Sequence, residues 1–262
     1  MDLDLSGKHA LVCGGSQGIG LAAAIELAHF GADVTLLART PAKLAAALAQ
    51  LPTKHAAQRH ASVAADTGDL DELRREVGEL IFERRVHVLV NNSGGPPPGS
   101  LSSATSEDFL DAFRRHLLAN HALAELVIPG MKAARFGRII NVISTSVKQP
   151  IPGLGVSNTT RGAVASWAKT LAAEVASFGI TVNNVLPGST HTPRIEEIIE
   201  TRAKASGKSR ADIEAAMTHE IPMARFADAA EVGNAIAFLA TPAAAYITGI
   251  NVPVDGGRTS SL

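Results

Sequence analysis

One cysteine, one tyrosine and one tryptophan occur in 262 residues, and aromatic side chains make up only 4% of the chain. The lone Cys13 excludes an internal disulfide and suits a reducing compartment, the cytoplasm. At the end of an apolar run it reads as a small packing residue, not a reactive thiol. With so few rings, the core must be built from Ala, Val, Leu and Ile, which suits helices packed on a parallel sheet. The formal net charge is −1, so no basic surplus points to nucleic acid or to an anionic membrane surface. No apolar run reaches the ~18 residues of a membrane span. Met1-Asp2-Leu3-Asp4-Leu5 lacks the basic and apolar regions of a secretory signal. No metal site is expected.

What the chain does have is alternation. Apolar runs at His9–Cys13, Val34–Ala38, Ala61–Ala65, Val86–Val90, Arg138–Ile143, Thr181–Leu186 and Ile250–Val254 read as seven strands. Helical patterns fall near Gly18–Phe30, Pro41–Gln50, Asp69–Glu83, Ser106–Ala134, Thr160–Phe178 and Asp228–Ala240. Strand–helix alternation with right-handed crossovers predicts an α/β fold, a doubly wound parallel Rossmann sheet with helices on both faces. No linker divides it, so residues 1–262 are expected to form one domain. The stretch Thr192–Phe226 breaks the alternation as a charged helical insertion, and Ser209-Arg210-Ala211-Asp212 reads as a capping box that starts a helix near Arg210. Emerging from the carboxyl end of the sixth strand, the insertion either covers a substrate or is a solvated hairpin.

Directly behind the first strand stands Gly14-Gly15-Ser16-Gln17-Gly18-Ile19-Gly20, which feeds the first helix. Glycines allow a tight turn and close approach of backbone to phosphate, and the helix N-terminus then faces the anion. Strand, loop and helix in that order are the context a dinucleotide pyrophosphate site requires. The second strand ends Leu36-Leu37-Ala38-Arg39-Thr40 without the carboxylate that usually accepts from NAD ribose hydroxyls. Arg39 fits a 2′-phosphate through its planar fork, so NADP(H) is favoured over NAD(H), the alternative being an Arg39 that points to solvent.

Asn91-Asn92-Ser93-Gly94 follows the fourth strand, Pro187-Gly188 the sixth, and Tyr246-Ile247-Thr248-Gly249 and Val254-Asp255-Gly256-Gly257 close the chain. With Gly14, Gly18 and Gly20 these resemble the short-chain dehydrogenase/reductase family, whose fourth-strand motif is usually Asn-Asn-Ala-Gly. The whole is similar to bacterial 3-oxoacyl-acyl-carrier-protein reductases. The resemblance implies a dinucleotide held by Gly14, Ser16, Gln17, Gly18, Ile19, Gly20, Asn92, Ser93 and Gly94. It places Asp66 against adenine, though Asp66 also reads as a helix N-cap. It places Pro187, Gly188, Thr190 and Thr192 in the loop that holds the nicotinamide carboxamide. Asn91 reads either as a ligand-side amide or as a tie between strands.

The family's catalytic set is incomplete here. It uses a Tyr as general acid, a Lys four residues on, a Ser thirteen before the Tyr and an upstream Asn. Ser144 matches the Ser, but the Tyr position holds Ser157, the Lys position holds Arg161, and the only tyrosine is Tyr246. An ungapped count from Arg138 puts His116 at the Asn position, with Asn120 one turn later. His116, with an ordinary pKa near ~6.5, is either a replacement proton donor or a packed helix residue. Lys148 and His191 lie on loops within reach of the site and read either as site residues or, more simply, as surface residues. Two main functions are therefore open, beside a weaker third, a dehydration or isomerisation with His116 as base. One is an oxidoreductase acting on a small-molecule carbonyl or alcohol, including 3-oxoacyl thioesters. The other is a dinucleotide-binding sensor or partner subunit with weakened catalysis. By resemblance the chain is a homo-oligomer, a dimer or homotetramer, formed through Leu117–Ala134 and Thr160–Phe178, with Ala163, Ala165, Ala168, Ala172 and Ala173 permitting close helix approach. Arg135 and Arg138 are candidates for docking an acyl carrier.

Overall fold

The computed structural model describes residues 1–261, so the last residue of the expected 1–262 domain lies outside the described residues. The elements run β1 (His9–Cys13), α1 (Gly18–His29), β2 (Asp33–Ala38), α2 (Pro41–Leu48), β3 (Ala61–Ala64), α3 (Leu70–Glu83), β4 (Val88–Asn91), α4 (Ser106–Phe113), α5 (Ala119–Ala134), β5 (Gly137–Val142), α6 (Gly155–Val175), β6 (Ile180–Pro187), α7 (Pro193–Ser206), α8 (Arg210–His219), α9 (Ala229–Ala240) and β7 (Asn251–Val254). All seven strands pair in parallel in the order β3-β2-β1-β4-β5-β6-β7. The order reverses between β1 and β4, as a doubly wound, Rossmann-like sheet requires.

Successive strand residues point to opposite faces, and β1 shows it. Ala10 and Val12 enter one core with Leu27 of α1, Leu44 of α2 and Ile236 of α9. Leu11 and Cys13 enter the other with Val77 of α3, Leu123 of α5 and Ala168 of α6. The Cys13 thiol is buried, and burial raises its pKa to about 12, as befits a packing residue. Ala165, Ala168 and Ala172 are buried within the chain. That part of the small-residue face on α6 packs on its own sheet and is not open to a second copy. Arg138 is also no docking residue. It is buried at the amino end of β5, where it lies over the Phe136 ring and donates to the carbonyl oxygens of Gly137, Gly179 and Thr241. Arg135 lies in the same region, at the C-cap of α5, the opposite end of the sheet from the ligand loops.

Two helices depart from the expected pattern. Ser106–Ala134 is interrupted by a π turn over Arg114–Leu118 between α4 and α5. The helix expected from Thr160 begins at Gly155, because Asn158 clamps its first turn: the amide Nδ2 donates to Ile151 O at 2.9 Å. The insertion folds as α7 and α8, and Ser209 and Asp212 form the capping box expected for α8. Its small core is Ile195, Ile199, Ile213, Met217, Ile221 and Phe226.

A line of amides crosses the sheet. Asn91, Asn141, Asn184 and Asn251 are paired in register on β4, β5, β6 and β7. Asn91 Nδ2 donates to Asn141 Oδ1 (2.9 Å), Asn141 Nδ2 to Asn184 Oδ1 (2.9 Å), and Asn184 Nδ2 to Asn251 Oδ1 (2.8 Å). Asn91 is thus a strand tie. Replacing Asn141, which is fully buried, by Leu strands a donor on Asn91 and an acceptor on Asn184. Each orphan costs ~1–3 kcal/mol, so N141L is expected to lose about 2–6 kcal/mol in urea unfolding. A loss below ~1 kcal/mol would dismiss the ladder as a structural element.

At the amino end of the sheet His9 and His87 are held neutral. His9 Nε2 lies 2.8 Å from Thr35 Oγ1, and the His9 backbone N–H donates to His87 Nδ1 at 3.1 Å. Burial, then Arg84, lowers the His9 pKa to about 4; burial, then Lys8 and Arg85, does the same for His87. A depressed histidine pKa means the unfolded chain binds more protons between the two values. Stability from this pair is complete above pH ~6.5 and lost as pH falls toward about 4. The denaturation midpoint should drop over that range, and the H9Q/H87Q double variant should flatten the drop; parallel curves would acquit the histidines.

Candidate active site

A cavity of about 880 Å³ opens along the carboxyl ends of the central strands. Its walls gather Gly14, Ser16, Gln17, Gly18, Ile19, Arg39, Asp66, Asn92, Ser93, Gly94, His116, Ser144, Ser157, Arg161, Pro187, Gly188, Thr190 and Thr192. Gly20 is not on the wall. A Cβ there would lie 2.2 Å from Gly14 O and 2.7 Å from Asn92 Nδ2, so this glycine lets α1 pack onto the loop and onto the end of β4.

The glycine-loop end fits a dinucleotide. Gly14 has φ +59° and its Cβ would meet Asn92 O at 2.7 Å, so only glycine makes this turn. Gln17, the N-cap of α1, gives no side-chain cap, and the first turn carries no acid. The leading N–H groups of α1 are thus open to an anion. Arg39 follows the tip of β2, is exposed on the cavity wall and makes no ion pair among the described residues. Asp66 accepts from Gly68 N at 2.8 Å and from Arg115 Nη1 at 3.2 Å. It does not cap α3: that role belongs to Asp69, which accepts from Glu72 N at 2.9 Å.

At the opposite end lie the departures from the family pattern. Ser144, just past β5, accepts from Ser146 N at 3.1 Å. Ser157 and Arg161 stand four apart on α6, one above the other on the same helix face. Arg161 is buried and donates from Nη1 to Val142 O at 3.0 Å. Burial, then Arg194, lowers its pKa to about 10, which leaves it charged at neutrality. The π turn turns His116 inward, where its Nδ1 sits 2.7 Å from Ser93 Oγ. Burial, then Arg161 and Arg115, lowers the His116 pKa to about 2. Of the two readings open for His116, burial favours the packed residue: the imidazole is neutral near pH 7 and is held by its hydrogen bond to Ser93.

The remaining residues are peripheral. Asn120 is buried one turn beyond His116 and does not line the cavity. Lys148 and His191 are also off the wall, His191 resting against Phe226 with ring centroids 5.3 Å apart. Tyr246 is fully exposed. Among the described residues no group of His, Cys, Asp and Glu is placed to hold a metal. Two arginines carry no motif and were not foreseen. Arg115 pairs with Asp66 and Asp111, and Arg194 at the start of α7 donates from Nη2 to Pro96 O at 2.8 Å, tying the insertion to the Pro96–Pro98 loop.

A glycine-loop cradle at the reversal point of a parallel sheet, with Ser144 just past β5 and Ser157 and Arg161 on α6, is the arrangement of a Rossmann-type dinucleotide-binding fold. The family model described as enoyl-(acyl carrier protein) reductase matches residues 14–259. The chain belongs to the short-chain dehydrogenase/reductase family. It is 30% identical to the NADPH-dependent reductase BacG of Bacillus subtilis, over 98% of this chain and 100% of that one. It is 31% identical to the 3-oxoacyl-[acyl-carrier-protein] reductase FabG of Pseudomonas aeruginosa, over 99% and 100%. The crystal structure of L-sorbose reductase from Gluconobacter frateurii, complexed with NADPH and L-sorbose, superposes with a TM-score of 0.93 at 32% identity, covering both chains fully (100% each).

Proposed function

We propose that the protein is an NADP(H)-dependent oxidoreductase that interconverts a small-molecule carbonyl and its alcohol at an atypical site. The observation that carries this reading is the meeting of the departures. Ser93, where the family usually has Ala, bonds His116; His116 lies in the field of Arg161; Arg161 lies one turn from Ser157. A site decaying into a sensor or a silent subunit would not accumulate changes that contact one another.

The bound cofactor supplies a hydride. The glycine loop, the open N-terminus of α1 and Arg39 would hold its phosphates, and Thr190 and Thr192 would hold its nicotinamide end. Ser144 and Ser157 present hydroxyls to the substrate oxygen. Arg161, locked on Val142 O, stabilises the negative charge that develops there. Neutral His116, fixed by Ser93, shapes the wall and adds a hydrogen-bonding edge. None of these groups is an acid of intermediate pKa, so the proton that completes the alcohol comes from water. General-acid catalysis is typically worth ~10²–10⁴-fold, and a slow enzyme is expected.

The same reading takes α7 and α8 as the substrate cover, supported by the Arg194–Pro96 tie. It takes 3-oxoacyl thioesters as one substrate class for trial. It takes the assembly as a homodimer or homotetramer, supported by the exposed Leu110 and Leu118. The buried, unpaired Cys13 supports a cytoplasmic setting. No helix is long and apolar enough to cross a membrane among the described residues.

Deuterium from 4-deuterated NADPH should appear in at least one product of a panel of ketones, aldehydes and 3-oxoacyl thioesters. S157A should then lower kcat/KM by about 100-fold with the Kd for NADPH unchanged. No transfer to any member, with NADPH bound, would return the protein to the sensor class. For the cofactor, R39A should weaken NADPH by roughly 10–100-fold, as loss of a charged hydrogen-bond pair implies, and leave NADH binding nearly untouched; equal effects on both would refute Arg39 as the 2′-phosphate ligand.

A further inference from the structure

Arg161 carries more charge than the reaction alone explains. Its side chain is 8% exposed, and Nη1 to Val142 O is its one protein hydrogen bond among the described residues. A guanidinium has five N–H donors, so most of its capacity faces the cavity. The charge that bears on it is a second cation, Arg194. Of the carboxylates on the cavity wall, Asp66 and Asp111 are engaged with Arg115 and Asp108 with Thr105, Glu107 is exposed on α4, and none of the four is a charge that bears on Arg161. A buried cation without a counter-ion is unfavourable, and a neighbouring cation makes it more so.

The negative charge that develops on a substrate oxygen does not meet this need, because it exists only in the transition state. The resting cation calls for a resting anion. The cofactor phosphates have their own cradle at the glycine loop and Arg39. We therefore infer that the substrate is itself an anion, an oxo acid whose carboxylate is bound by Arg161 beneath Arg194 while Ser144 and Ser157 hold its carbonyl oxygen. Residues four apart on a helix have Cβ atoms about 5–6 Å apart, which suits the short separation between ketone oxygen and carboxylate in a 2-oxo or 3-oxo acid. Arg194 closes the pocket over this group, its Nη2 on Pro96 O at 2.8 Å and its Nη1 near Glu197 at 3.2 Å. This inference names the substrate class of the reductase site proposed above and rests on that assignment for its chemistry, not for its binding.

The test separates binding from turnover. NADPH-saturated protein is titrated calorimetrically with a series of 2-oxo and 3-oxo acids of four to eight carbons, each paired with its methyl ester, and deuterium transfer is read on the same pairs. The expected result is at least tenfold tighter binding of an acid than of its ester. R161Q should abolish that preference and R161K retain part of it. R194Q should reduce it at least threefold, with the NADPH affinity of R194Q unchanged. Esters that bind as well as acids, a preference that survives R161Q, or no acid bound by NADPH-saturated protein would each overturn the anion site. Acid-selective binding without deuterium transfer would leave the anion site standing and remove the reductase assignment. Ester reduction without acid selectivity would do the reverse.

Discussion

The asparagine ladder is the constraint on which the rest of the molecule is hung. A parallel sheet fixes its strands through slanted backbone bonds that leave the side chains of neighbouring strands side by side. Here an amide stands at the same level on four strands, and the two inner ones, Asn141 and Asn184, both donate and accept. The chain of bonds has a direction, running from β4 to β7, so Asn91 Oδ1 at its head is left buried without a partner. Each of the first three rungs is followed within a few residues by a loop of the site: Asn92-Ser93-Gly94 after Asn91, Ser144 after Asn141, and Pro187-Gly188 after Asn184. A slip of one residue in any of these pairings would move a loop along the cavity wall and break the amide bond that joins the two strands. Register and site geometry are thus set by the same contacts.

The electrostatics of the site follow from burial more than from charge pairing. Water is kept from Arg161 and His116, and the two respond differently. The guanidinium keeps its proton because its ordinary pKa is so high. The imidazole, in the field of that guanidinium, loses its own. At neutral pH the site thus holds one cation and one neutral ring side by side.

Much of this was legible in the chain. The seven apolar runs, the glycine turn and the Ser209 capping box each depend on neighbours close in sequence, and each forms where its pattern lies. The substitutions at Ser157 and Arg161 were readable by counting from Ser144. What was hidden depends on distant contacts. Nothing local in Gly155-Val156-Ser157 favours a helix; Asn158 reaching Ile151 makes one. Arg138 reads as a surface cation until Phe136 and three carbonyls enclose it. The pKa of His116 is set by burial and then by Arg161, forty-five residues away in the chain. Arg115 and Arg194 belong to no motif, and their roles exist only once α4 faces the β3 loop and α7 reaches the Pro96 loop.

The π turn at Arg114–Leu118 has a consequence for how this wall tolerates change. Such a turn holds one residue more than the surrounding α-helix needs, and each residue advances a helix by about 100°. Adding or removing a single residue there would swing Arg115 away from Asp66 and His116 away from Ser93 in one motion. The capping box of α4 and the packing of α5 would be untouched. Point substitutions alter these contacts one at a time; a change of length alters them together. In this segment, chain length is itself part of the information that specifies the site.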